Sequence, residues 1–87
     1  MLYRSGMSFE RISEILESLG FRACDVREYG PKGSTVRAVY ERSGETLSVR
    51  HRTEPTESTV VYWDPALVKE KTEPKLKADL KLGPVRN

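Results

Sequence analysis

Three arginines have the types and spacing best suited to act together. Residues 35–52 read as two strands joined at Ser43-Gly44, a two-residue turn that pairs Arg42 with Glu45. Counting back from it sets Tyr40 opposite Leu47, Ala38 opposite Val49 and Val36 opposite His51 on one face. The other face then pairs Glu41 with Thr46, Val39 with Ser48, Arg37 with Arg50, and Thr35 with Arg52. A one-residue slip would turn every apolar side chain outward, so the register is self-consistent. Arg37, Arg50 and Arg52 therefore share a face with the hydroxyls of Thr35, Thr46 and Ser48. Like charges directly across strands repel, and a phosphate backbone would relieve that repulsion. A solvated sheet face, with Glu41 or Glu54 as counterions, accounts for the same residues without any ligand.

Tyr62 and Trp63 are adjacent in a strand, so they face opposite sides. One anchors a core, and the other is free to stack on a single-stranded base or to serve as a protein contact. Lys69, Lys71, Lys75, Lys77 and Lys81 concentrate near the C-terminus, where they could track phosphates. Among them Leu76, Ala78, Leu80 and Leu82 alternate with charged residues, a period-2 pattern that suits an added edge strand. Leu and Lys are nonetheless helix formers, and only Leu76 and Leu80 would share a helical face.

The usual catalytic groups are sparse. His51, the single histidine, falls on the core side at the open end of the hairpin and has no nucleophile or carboxylate at a recognisable spacing. Cys24, the single cysteine, reads as a small buried hydrophobe within a strand. Gly30-Pro31-Lys32-Gly33-Ser34 lacks the spacing and the following helix of a phosphate loop, and a turn explains it. No set of residues suits a metal or a cofactor, and none is expected. The reading is therefore of a non-enzymatic binding protein.

These residues need elements to hold them. Phe9, Ile12, Ile15, Leu16 and Leu19 lie at helical spacing after Ser8, a capping residue, and Gly20 ends the run, which predicts a helix over 9–19. Residues 21–29 read as a strand of ambiguous facing, and 59–63 as a strand rich in β-branched and aromatic residues. Asp64-Pro65 looks like the start of a short helix over 66–71. The expected fold is α+β: an N-terminal amphipathic helix packed on a three- to four-stranded antiparallel sheet, with a short C-terminal helix and an extended basic tail. Residues 1–68 form the expected domain and 69–87 the tail.

The chain has 87 residues, enough for one domain. Charge is uneven, at −1 over residues 1–68 and +3 over residues 69–87. No apolar run approaches the roughly 18 residues of a membrane span, and the first residues lack the apolar stretch of a secretory signal. A soluble, cytoplasmic protein without a membrane partner is expected. Two classes of partner fit. Nucleic acid would meet Arg37, Arg50, Arg52 and the five lysines. A protein, including a second copy, would meet a sheet edge, Tyr62, Trp63 and the leucines 76, 80 and 82.

Overall fold

A computed structural model describes residues 1–85. Arg86 and Asn87, the end of the 69–87 segment, lie outside the described residues. The chain forms strand β1 (Leu2–Ser5), helix α1 (Phe9–Ser18), strands β2 (Arg22–Tyr29), β3 (Thr35–Arg42), β4 (Glu45–Arg52) and β5 (Ser58–Tyr62), helix α2 (Glu73–Asp79) and strand β6 (Leu82–Pro84). All strands join one antiparallel sheet in the order β2-β3-β4-β5-β1-β6.

Helix α1 starts where its sequence directs. The Ser8 hydroxyl accepts from the Arg11 amide at 3.1 Å, satisfying one of the free donors of the first turn. It ends at Gly20, whose φ of 95° suits glycine. The Gly20 amide donates to the Glu17 carbonyl and the Phe21 amide to the Leu16 carbonyl, the paired bonds of a Schellman cap. The β3–β4 turn has positive φ at both Ser43 and Gly44, as a type I′ hairpin requires. Its eight pairs, from Arg42↔Glu45 to Thr35↔Arg52, are those read from the sequence.

Four expectations are corrected. The sheet has six strands rather than three or four. Strand β1 was not foreseen, and it sits between β5 and β6, with hydrogen-bonded neighbours on both sides. Residues 66–71 do not form the short C-terminal helix; a single 3-10 turn spans Pro65–Leu67, capped by the Asp64 carboxylate at 2.9 Å from the Ala66 amide. The helix lies later, at Glu73–Asp79, where an extended tail was expected. Here helix propensity and i,i+4 pairing prevail over the alternating pattern: Lys77 bridges Glu73 at 2.9 Å and Lys75 bridges Asp79 at 3.2 Å. Only Leu82 of the alternating stretch ends in a strand, pairing with Ser5.

Both helices pack on the same side of the sheet. Ile12 and Leu16 of α1, Leu76 of α2 and Leu80 at its C-terminal cap are fully buried against Ala38, Tyr40, Leu47, Val49, Val61 and Trp63. The Ser13 and Tyr40 hydroxyls meet at 2.8 Å, and the Ser5 hydroxyl donates to the Leu80 carbonyl at 2.9 Å. The helices thus cover one face of the sheet. The other, termed the open face below, has no α-helix on it among the described residues.

Candidate functional site

Directly opposed residues of an antiparallel ladder point to the same side, so the registers trace rows across the open face. One row runs Arg27 (β2), Arg37 (β3), Arg50 (β4), Val60 (β5), Arg4 (β1). Strands lie about 4.8 Å apart, so four arginines are strung over roughly 19 Å. Arg52, two residues from Arg50 on β4, faces the same way, opposite Ser58. Arg4, Arg37, Arg50 and Arg52 are exposed, and none has a carboxylate partner among the described residues. Arg27 is paired, at 3.2 Å, with Asp25. Adjacent unpaired guanidiniums repel by about 1 kcal/mol or less in water at this spacing. An anion laid along the row would turn that cost into a gain.

Beside this row, displaced by two residues, runs a second one: Asp25, Val39, Ser48, Tyr62, Leu2. Tyr62 is half-buried, and Leu2 and Leu67 are exposed at 47% and 45%. A shallow depression lined by Arg37, Val39, Ser48, Tyr62, Leu67 and, at its rim, Asp64 opens here, and the Arg37 guanidinium carbon lies 6.0 Å from the Tyr62 ring centre, at the outer limit of a cation–π contact. The rows are about 7 Å apart, a cationic track alongside one that is apolar at Val39, Tyr62 and Leu2 and polar at Asp25 and Ser48.

The residues singled out from the sequence are distributed unevenly. Arg37, Arg50, Arg52 and Tyr62 come together on the open face. Trp63 is 3% exposed on the helix side, its ring 4.9 Å from that of Tyr3. Leu76 and Leu80 are fully buried, and Leu82 is half-buried in β6. Lys75 and Lys77 project from α2, on the covered side of the sheet, and both are in ion pairs within that helix. Hydrogen bonds with Glu73 and Tyr3 hold the Lys77 amine above its ordinary pKa. Lys69, Lys71 and Lys81 are exposed in the segments flanking α2. The five lysines and the arginine row do not share an element.

Arg4 and Arg27 were missed. Arg4 was hidden because β1 was not recognised: Leu2, Tyr3, Arg4 and Ser5 show no alternation that marks a strand. Arg27 was hidden by a bulge. Ala23 pairs with Tyr40 and Asp25 with Val39, leaving Cys24 as an extra residue, which shifts the facing of everything before it. Cys24 is exposed rather than buried, and it donates weakly to the Val39 carbonyl at 3.5 Å. Desolvation against the strand and the nearby Glu41 carboxylate push its thiol above the ordinary pKa, the opposite of what a thiolate nucleophile needs. His51 is half-buried, bonded to the Thr59 hydroxyl at 2.8 Å and stacked on Phe9. No group of three or more metal-ligating side chains gathers among the described residues, and no helix is long and apolar enough to cross a membrane. No family model, curated protein or solved structure matches the chain.

Proposed function

We propose that the protein binds single-stranded nucleic acid on its open sheet face. One observation carries the reading: the row Arg27–Arg37–Arg50–Val60–Arg4, whose arginines are largely without carboxylate partners, runs beside the row Val39–Ser48–Tyr62–Leu2, which offers Tyr62 and two aliphatic side chains. Phosphates follow the first row, and bases rest on the second, with Tyr62 as the stacking surface. Single strands fit this face better than duplexes, because a splayed base has a free face to stack on Tyr62 and a base stacked within a duplex has none. The lysines of α2 are left out of the reading, since that helix packs on the other side of the sheet. A protein-interaction role keeps the support of a separate feature, the uncovered edge of β2.

The test is fluorescence anisotropy of a labelled oligonucleotide at several salt concentrations. Affinity should fall steeply with salt. R37Q/R50Q should weaken binding at least tenfold and flatten the log–log salt slope by about 1.4, the expectation for two lost phosphate contacts on a single strand. Y62A should cost about 1–3 kcal/mol with less change in slope. Affinity insensitive to salt, or no binding at low salt, would sink the reading.

A further inference from the structure

Strand β2 forms one edge of the sheet, and its eight residues are all exposed. No strand lies on its outer side among the described residues. Proteins usually shorten or cover such an edge, because its unpaired amides and carbonyls recruit another strand. The opposite edge follows that habit: β6 has only three residues. Strand β2 is neither short nor covered; the helix layer stops short of it, leaving Val26 58% exposed, and on the open face Tyr29 is 46% exposed.

The bulge at Cys24 confines the irregularity to the start of the strand, and Asp25 to Tyr29 pair regularly with β3. In this regular part Asp25, Arg27 and Tyr29 belong to the open face, and Val26 and Glu28 to the helix side. We infer that this edge pairs with the same edge of a second copy, antiparallel, about a two-fold axis through Val26. Two copies related by such an axis keep their open faces on one side, and opposed residues must then face the same way.

Few registers meet that condition, and their chemistry differs sharply. With the axis at Val26, the two Val26 side chains meet, and Asp25 of each copy lies opposite Arg27 of the other. Asp25 and Arg27 already bridge within the chain at 3.2 Å, so the four charges alternate in sign around the axis. An axis at Arg27 sets arginine against arginine and Val26 against Glu28. An axis at Asp25 sets aspartate against aspartate and Val26 against the bulge, and one at Glu28 sets two glutamates together. Only the Val26 register pairs opposite charges and covers the exposed apolar residue. Main-chain hydrogen bonds supply the affinity, and these side chains choose the partner. The two six-stranded sheets become one continuous sheet.

Sedimentation of the full chain from micromolar to submillimolar concentration should show a monomer–dimer equilibrium. D25R and R27D should each abolish the dimer, by placing like charges opposite each other twice, and D25R/R27D should restore it. Both side chains are largely exposed, at 46% and 74%, so the variants keep the fold, which circular dichroism checks. A cross-link fixes the register. In a C24S background, V26C should oxidise readily to a covalent dimer, because its two Cα atoms lie about 4.5–5.5 Å apart, within the roughly 4.4–6.8 Å that a disulfide spans. R27C in the same background should not. The proposal is overturned by a strict monomer at every concentration, by a dimer that survives both single charge reversals, by failure of the double variant to restore it, or by equal cross-linking at 26 and 27. None of these measurements involves nucleic acid, so the outcome is independent of the open-face reading.

Discussion

A single ion pair at the end of the β3–β4 hairpin ties it to the turn after α1 and the turn before α2. Glu45 is 2% exposed. Its carboxylate accepts from Arg42 at 2.7 Å and from the Lys69 amide at 3.1 Å, and Arg42 in turn donates to the Leu19 carbonyl at 2.6 Å and lies 4.4 Å from the Phe21 ring centre. Burial alone would push the Glu45 carboxyl up, but bonds from Arg42, Thr72 and Lys69 outweigh it and hold the pKa below the ordinary value. A carboxyl with a depressed folded-state pKa adds stability above its unfolded value of about 4.3, and that stability is lost as pH falls through the folded pKa. E45Q should therefore cost about 1–3 kcal/mol near neutrality, with the gap to the wild type closing below pH of about 4. Denaturant midpoints measured across pH would check this; a gap constant down to strongly acid pH would refute it. The Arg42–Glu45 pairing was legible from the hairpin turn alone. Its burial was not, because the covering groups come from residues 19, 21, 69 and 72, and no local pattern announces contacts across that separation.

Elements were readable where several local signals agreed and unreadable where they conflicted. Helix α1 combined a cap, an apolar stripe and a terminal glycine, and the β3–β4 hairpin combined turn chemistry with two facing patterns. Both stand as read. Strand β1 is four residues long, and its strand character comes from lying between β5 and β6 rather than from its composition. Helix α2 was obscured because Leu76, Ala78, Leu80 and Leu82 satisfy a two-residue period, while Leu76 and Leu80 also satisfy i,i+4. Lys81, at a φ of 50°, marks the break where one pattern gives way to the other. The structure makes α2 a part of the core, and its loss should be severe. L76A and L80A should each cost about 2–5 kcal/mol, and a chain ending at residue 72 should lose cooperative thermal unfolding altogether. An accessory tail would instead leave the melting curve unchanged on truncation.

At the scale of the whole molecule, charge is unevenly spread. On its open face Arg4, Arg22, Arg27, Arg37, Arg50 and Arg52 stand against Asp25 and Glu41, with Asp64 at the rim; the exposed surface of α1 carries Glu10, Glu14 and Glu17 with a single Arg11, and the chain around α2 mixes five lysines with Glu70, Glu73 and Asp79. The small net charge of +2 is thus an average over a basic open face, an acidic α1 and the mixed charges around α2, which is why composition alone does not mark the arginine row. The shortest dimension of the molecule is 22 Å, and the Debye length at physiological salt is about 8 Å. Charges on the far side of α1 are therefore largely screened from a ligand on the open face. E10Q/E14Q/E17Q raises the net charge by three yet should change oligonucleotide affinity by less than about twofold at 0.15 M salt. R37Q/R50Q, removing only two charges, should change it at least tenfold. In low salt the screening length grows to about 30 Å at 0.01 M, and the glutamate variant should then begin to bind more tightly than the wild type. Equal effects of the two variants at 0.15 M would mean that overall charge, rather than the arginine row, draws the ligand.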